Sequence, residues 1–354
     1  MNAARTRPTP LRIGILGCAN IARQFFRDAS PSPAVRVVAA ASRNADTAAA
    51  FAAAQGIGRS HGSYEALLAD AQVDAIYLPL PNSLHAEWAI KAAEAGKHVL
   101  CEKPLALNLA EAQAMFDAAR RHRVLLVESV PYYFQPATGR LVALLQEGAI
   151  GSVRSVQSCF GFTMANPASN IRAKPELGGG ALLDAGSYAL SVIRLVMGIA
   201  PQRVRAEASW SDSGVDISAM GTLTYADGRR AQLSCAMDPA NHRHATIVGS
   251  AGTIDTEYLN HTARQPAGHP DNPYGYLPSQ MRLRRGTANT IPFEIIESGT
   301  GSGFRFAAEM FAQLVAARDF AAMDRAAAAS LDNAATLDAL ARSARLGHAV
   351  DVGR

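Results

Sequence analysis

The chain is poor in the features that mark several protein classes. Its 354 residues include four cysteines, Cys18, Cys101, Cys159 and Cys235, none in a Cys-x-x-Cys pair or a Cys/His ligand spacing. That pattern argues against a structural zinc site, and no metal is expected. Thiols scattered along mostly apolar segments read as buried and free, in a reducing compartment. No run of about 18 apolar residues lacks a charge, so no membrane-spanning helix is expected. The first ten residues carry Arg5, Arg7 and two prolines but no apolar core of a secretory signal. A cytoplasmic protein without a membrane partner is the expectation. Charge of one sign is also scarce: 34 Lys and Arg stand against 30 Asp and Glu, a net +4. The nearest approach to a basic patch, Arg282, Arg284 and Arg285, reads as the solvated face of one strand, so no nucleic-acid partner is expected. No internal repeat is visible.

What is present is an ordinary globular composition, 49% hydrophobic and 18% charged, on a chain long enough for two domains. Residues 11–125 alternate short apolar runs (11–16, 36–41, 75–80, 98–101, 124–128) with alanine-rich helical segments (21–29, 46–55, 64–69, 84–95, 109–121). Alternation of this kind predicts a doubly wound parallel sheet. Asn108 with Glu111 three residues on is a helix start, and Gly96 a helix stop. After about residue 128 the texture changes to longer runs with period-two alternation (151–162, 202–211, 218–225, 230–237, 245–249, 252–257), joined by turns such as Asp227-Gly228. These predict a large, mostly antiparallel sheet. Helical stretches fall at 139–146, 181–197, 304–319 and 330–345. Residues 266–280, rich in Pro, Gly, Asn and Tyr, read as a loop. The expected plan is α/β: a tail over 1–10, a dinucleotide-binding domain over 11–128, and a substrate-binding and oligomerisation α/β domain over 129–354.

Gly17-Cys18-Ala19-Asn20-Ile21-Ala22 follows the first apolar run and opens a helix. It is a degenerate dinucleotide fingerprint: glycine for the tight turn, a small residue where backbone approaches pyrophosphate, and a small residue for helix–strand packing. The second predicted strand runs into Ser42-Arg43-Asn44, where a site for NAD would place Asp or Glu. An arginine and a hydroxyl suit a 2′-phosphate, so NADP is expected, with NAD as the second choice. Leu80-Pro81-Asn82-Ser83-Leu84-His85 is placed to run beneath the cofactor, with Asn82 capping the next helix. For His85 itself a structural role is the better reading.

Glu102-Lys103-Pro104 follows the strand 98–101 and sets an ammonium group at the carboxyl end of the sheet. Gly178-Gly179-Gly180 precedes a helix that carries Asp184 and Tyr188, four residues apart and on one face. A lysine ammonium beside a tyrosine favours the phenolate, so Lys103 and Tyr188 can act as a proton relay with Asp184 binding substrate hydroxyls or orienting Lys103. The bland alternative is a tyrosine packed between domains and a carboxylate capping a helix.

These motifs carry a resemblance. Gly17–Ala22, Leu80-Pro81-Asn82-x-x-His85, Glu102-Lys103-Pro104 and Gly178–Tyr188, with Ile171-Arg172-Ala173-Lys174-Pro175-Glu176-Leu177 before the glycines, stand in the order of the glucose–fructose oxidoreductase/inositol dehydrogenase/MocA (Gfo/Idh/MocA) family. The chain resembles the branch of dihydrodiol dehydrogenase, NADP-dependent xylose dehydrogenase and deoxysugar 3-ketoreductases. The resemblance implies an NAD(P)-dependent oxidoreductase acting on a sugar or polyol-like hydroxyl or carbonyl, and a homodimer or higher oligomer that buries one face of the large sheet. It implies a catalytic set of Lys103, Tyr188 and Asp184, with Arg172, Lys103, Asp184 and Tyr188 facing substrate. Cofactor contacts would come from Gly17, Cys18, Ala19, Asn20, Ile21, Ser42, Arg43, Leu80, Pro81, Asn82, His85, Glu102 and Lys103. Two departures stand out: Tyr188 where many members carry His, and Ala19 where the second glycine is usual. A non-catalytic cofactor-sensing protein of the same fold and a glycoside hydrolase that retains NAD are the competing classes. The first tends to lose the lysine kept here, and Ser42-Arg43 speaks against the second.

Overall fold

The computed structural model describes residues 9–257, 279–299 and 301–353. Most of the expected tail and residues 266–278 of the expected loop lie outside them. The amino-terminal part runs β1 (Leu11–Leu16), α1 (Asn20–Ala29), β2 (Val35–Ala41), α2 (Ala45–Gln55), β3 (Ser60–His61), α3 (Tyr64–Leu68), β4 (Ala75–Leu78), α4 (His85–Glu94), β5 (His98–Glu102), α5 (Leu109–Arg121) and β6 (Leu126–Ser129). All pairings are parallel, and the sheet order is β3-β2-β1-β4-β5-β6. Three of these helices, α2, α3 and α5, carry a side-chain cap. Asn44, Ser63 and Asn108 accept from the amides of Thr47, Ala66 and Glu111, while Gly56 closes α2 in the left-handed region. The fourth strand ends at Leu78, short of the expected 80, because Pro79 has no N–H to offer the ladder.

The second part contains α6 (Pro136–Gln146), β7 (Val153–Gly161), α7 (Ser187–Met197), β8 (Arg203–Trp210), β9 (Asp216–Thr224), β10 (Arg230–Ala236), β11 (His242–Gly249), β12 (Gly252–Thr256), β13 (Ser279–Arg285) and β14 (Glu294–Ser298). The chain closes with α8 (Gly303–Ala317), α9 (Phe320–Leu346) and β15 (Val350–Asp351). Among the described residues these strands form a nine-stranded sheet, β14-β13-β12-β11-β7-β10-β9-β8-β15, antiparallel except for the central β7–β10 pair. The arginines of β13 are tied locally: Arg282 to Asp255, Arg285 to Glu294, and Arg284 over the Phe293 ring.

Two cores result. One packs Ile13, Ile15, Phe25, Tyr77 and Phe116 around the parallel sheet and recruits Phe304 and Phe311 from α8. The other packs Val156, Phe160, Leu190, Ile193 and Ile247 between the large sheet and α7. The last long helix serves both, giving Met323 and Ala327 to the first and Leu337 and Leu340 to the second. The stretch Pro175–Met197 has the length and hydropathy of a membrane span, yet most of it is buried in this second core. Cys101 and Cys235 are buried free thiols as expected, whereas Cys18 and Cys159 are only half-buried.

Candidate active site

Strand order reverses at β1, between β2 and β4, and ligands of such sheets bind beyond the carboxyl ends at that switch point. Three of the motifs leave adjacent strands at this edge: Gly17 after β1, Leu80 after β4 and Lys103 after β5. At Gly17 φ is +118°, and an added Cβ would come within 2.8 Å of Leu80 Cδ2, so both backbone and space require glycine. The helix that follows has Ala19 at its N-cap with no side-chain cap, and no acidic residue in its first turn. Its leading N–H groups and the positive end of its dipole are therefore left for an anion, which is what a pyrophosphate needs. Ala19 does not block this arrangement. Cys18 lies in the same turn with Sγ 3.6 Å from the Ala41 carbonyl, and burial raises its thiol pKa.

Ser42 and Arg43 stand just past β2. The Ser42 hydroxyl accepts from the Asn44 amide at 3.3 Å. Arg43 reaches toward Tyr64, whose phenol is raised by burial while the guanidinium works in the opposite direction. Arg23 of α1, not singled out by the sequence, rests 5.1 Å from the Phe51 ring and bears on the Cys18 thiol. Neither arginine has a carboxylate in ion-pair distance among the described residues. The only sequence signal for Arg23 was its place in the first turn and a half of α1.

The loop after β4 behaves differently from expectation at one residue. Asn82 does not cap the following helix. Its Nδ2 donates to the Gly178 carbonyl at 2.8 Å, joining this loop to the glycine run of the second half. His85 is fully buried, with Nδ1 2.9 Å from the Pro104 carbonyl and Nε2 2.9 Å from the Leu80 carbonyl. It ties two site loops together; burial lowers its pKa, and the two carbonyls pull the other way. The Glu102 side chain is turned into the core, where Oε1 accepts from the Tyr77 hydroxyl at 2.7 Å. Burial pushes that carboxyl up to about 7 against the pull of Tyr77 and Lys103.

Lys103, Arg172, Asp184 and Tyr188 come together. Lys103 Nζ donates to Asp184 Oδ1 at 2.8 Å and to the Asp184 carbonyl at 3.1 Å, and it lies 4.3 Å from the centroid of the Tyr188 ring. Arg172 Nε donates to Asp184 Oδ2 at 2.6 Å. Tyr188 is itself stacked on Phe160, centroids 4.6 Å apart and planes 11° from parallel. Burial pulls the Lys103 pKa down, but the Asp184 carboxylate and the Tyr188 phenol outweigh it and hold it above the ordinary value. Burial would likewise raise Asp184, and the two cations overcome it, holding its carboxyl at about 2. The segment Leu182–Gly186 is a π-helical turn leading into α7, a distortion frequent at functional sites.

Asp216, at the start of β9, supports this turn from behind and was missed by the sequence. Its Oδ2 accepts from the Leu182 amide at 2.6 Å, and a Cβ at Gly180 would meet Oδ1 at 2.2 Å. The glycine run thus lets a buried carboxylate approach the helix start. No group of three His, Cys, Asp or Glu capable of holding a metal ion occurs among the described residues.

The sequence models of the Gfo/Idh/MocA proteins match both halves: the oxidoreductase-family NAD-binding Rossmann fold over residues 11–129 and the Gfo/Idh/MocA C-terminal domain over residues 139–255. The chain belongs to the Gfo/Idh/MocA family. D-Xylose 1-dehydrogenase (NADP(+)) 2 of Haloferax volcanii is 35% identical over 343 residues, covering 97% of this chain and 100% of that protein. Trans-1,2-dihydrobenzene-1,2-diol dehydrogenase of Danio rerio is 37% identical over 69% of this chain and 73% of its own length. Among solved structures, KijD10, a 3-ketoreductase from Actinomadura kijaniata in complex with NADP and TDP-benzene, superposes with a TM-score of 0.82 at 31% identity, covering 94% of this chain and 98% of that one. Members with these names are dehydrogenases and reductases, and the Gfo/Idh/MocA protein described here is an oxidoreductase of the same family.

Proposed function

We propose that this protein is a cytoplasmic enzyme that moves a hydride between NADP(H) and a hydroxyl or carbonyl carbon of a sugar or polyol. Tyr188 is the acid/base and Lys103 the cation that makes it one. The observation carrying this reading is the position of Lys103 Nζ, over the Tyr188 ring at 4.3 Å and bonded to Asp184 at 2.8 Å. A buried ammonium next to a phenol stabilises the phenolate and the oxygen charge that develops on substrate. NADP supplies or accepts the hydride when bound. The chain's own residues handle the proton: in oxidation Tyr188 takes it from the substrate hydroxyl, and in reduction Tyr188 returns it to the carbonyl oxygen. Lys103 donates toward that oxygen, and Asp184 holds Lys103 and Arg172 in register.

The uncapped start of α1, Gly17 and the loop 80–85 make the cradle, with Arg43 and Ser42 at the 2′-phosphate end. NADP in the names of the Haloferax volcanii and Actinomadura kijaniata relatives supports that choice. The outer face of the large sheet, a shallow depression of about 450 Å³ lined by Arg205, Glu207, Met220 and Gln232, is the surface proposed to pair in a homodimer. The test is titration of purified protein with NADPH and NADH by fluorescence, then a sugar and dihydrodiol screen with Lys103→Met and Tyr188→Phe as controls. Tyr188→Phe is expected to lower kcat by about a hundredfold or more while NADPH still binds. Full turnover by that variant would sink the assignment.

A further inference from the structure

One cation at the site is not used by the chemistry above. Arg243 lies on β11 directly opposite Phe160 of β7. On β11 the residues that share its face, Ala245 and Ile247, are fully buried, so Arg243 points to the inner side of the sheet, where α7 packs. Its guanidinium lies 5.0 Å from the Phe160 ring centroid, and Phe160 is the ring on which Tyr188 stacks. Arg243 therefore stands one ring beyond the acid/base tyrosine. On the adjoining side Arg172 lies 5.7 Å from Phe162, the ring packed edge-on against Phe160.

Some arginines over rings elsewhere in the fold have anionic partners, as Arg282 has Asp255, Arg229 has Asp227 and Arg120 has Asp117, while others on the surface, such as Arg23 over Phe51, have none among the described residues. Among the described residues Arg243 has no such partner. Arg172 engages Asp184 through Nε alone, which leaves its terminal amino groups without a hydrogen-bond partner among the described residues. Lys103 and Arg172 thus share one carboxylate, Asp184, and Arg243 beside Phe160 adds a third cation with none in ion-pair distance among the described residues. The other nearby carboxyls are committed elsewhere, Glu102 to the Tyr77 hydroxyl and Asp216 to the Leu182 amide. Such an excess of positive charge beside an apolar wall focuses attraction for an anion, and arginine is the residue suited to carboxylate or phosphate oxygens.

We infer that the substrate is a sugar or polyol bearing an anionic group, a carboxylate or a phosphate, and that Arg243 with Arg172 reads that group while Tyr188 and Lys103 act on a carbon one sugar ring away. This rests on the oxidoreductase reading above. It makes Arg243 a specificity residue.

The test uses the full chain with NADP+ and matched substrates: glucose against glucuronate, and glucose against glucose 6-phosphate. The wild type is compared with Arg243→Met and with the surface control Arg140→Met. A charged member is expected to exceed its neutral match in kcat/KM by at least about tenfold, the worth of one charge-assisted hydrogen bond. The preference should shrink with added salt and collapse in Arg243→Met only. Preference for glucuronate assigns a carboxylate, and for glucose 6-phosphate a phosphate. Equal rates for charged and neutral members, or a preference that survives Arg243→Met, overturn the inference. A second readout does not depend on turnover: gluconate and sorbitol are titrated against the NADPH-loaded protein, following nicotinamide emission. Tighter, salt-sensitive binding of gluconate that is lost in Arg243→Met supports the inference, and equal binding of the two overturns it. Failure of the underlying reading looks different, since NADPH itself then does not bind or Tyr188→Phe leaves turnover intact.

Discussion

Replacing Asp184 by Asn keeps the side chain's shape and removes the charge that Lys103 and Arg172 face at 2.8 and 2.6 Å. In the wild type this carboxyl is held at about 2 against an ordinary 3.8, a gap worth about 2 kcal/mol of folded-state stability. Because the folded-state value is the lower one, that stability is fully present above about pH 4 and is lost as the pH falls toward 2. The variant also leaves the Lys103 ammonium, 9% exposed at the side chain, without its carboxylate. Breaking a buried pair in this way costs about 3–5 kcal/mol unless the orphaned group neutralises. Burial, the largest influence on Lys103, then pulls its pKa down and limits the loss. Urea unfolding at pH 7 should therefore show Asp184→Asn less stable by about 2–4 kcal/mol. The gap between variant and wild type should narrow below pH 4. In turnover, the alkaline limb at which Lys103 loses its proton should move to lower pH, with NADPH binding retained. Equal stability at pH 7, or a gap that stays constant down to pH 3, would refute the electrostatic account of the site.

Four further outcomes are expected. Arg43→Ala should weaken NADPH binding by about tenfold or more through loss of a charge-assisted contact and leave NADH unchanged, as read by parallel titrations; equal losses for both would remove Arg43 from the phosphate site. Gly17→Ala forces a side chain into a φ of +118° and against Leu80, so thermal or urea unfolding should report a loss of about 1–3 kcal/mol and cofactor binding should fall with it. Glu102→Gln keeps an acceptor for Tyr77 and removes a carboxyl held at about 7 rather than 4.5. A raised acid makes the wild type lose stability as pH rises from 4.5 to 7, by at most about 3 kcal/mol, so the variant should show a flatter stability curve and an unchanged slope would contradict the burial argument. Asp216→Ala removes the acceptor of the Leu182 amide and should cost about 1–2 kcal/mol, with kcat falling more than KM changes because the helix start carrying Asp184 and Tyr188 loosens.

The parallel sheet was readable because its strands are short apolar runs alternating with helical segments, and caps such as Asn108 with Glu111 hold in the structure. The two-residue β3 was not readable, since two residues carry no period. The final helix begins at Phe320, ten residues before the expected start, because the alanine-rich stretch 321–329 offers little contrast between polar and apolar faces. Its start signal was local all the same: Asp319 accepts from the Ala322 amide at 2.8 Å. Within the site, Lys103, Asp184 and Tyr188 were legible because each belongs to a contiguous motif. Asp216 was not, because it serves the Leu182 amide across 34 residues of sequence, and Arg243 comes beside Phe160 only through the pairing of β11 with β7. Asn82 was misread for a related reason: its side chain serves a carbonyl across the molecule, Gly178, and not the amides of its own helix.

The π-helical turn explains why a single residue can hold the lysine twice. In a regular α-helix the Asp184 carbonyl would point along the axis to the amide four residues on, and only the side chain would face the pocket. Over Leu182–Gly186 the turn is wider, and that carbonyl receives Lys103 Nζ at 3.1 Å and Ser187 Oγ at 2.8 Å while Oδ1 receives the same Nζ at 2.8 Å. Both acceptors of one residue therefore converge on one ammonium. That ammonium comes from the first half and its acceptors from the second, so these bonds also join the two halves of the fold, beside the Asn82–Gly178 bond. A compact point charge meets this demand: three donors on one atom satisfy two acceptors and still leave one toward the pocket above the Tyr188 ring. An arginine at 103 spreads its donors over a planar fork and cannot place them on one point, so what the site asks of residue 103 is ammonium geometry as well as positive charge.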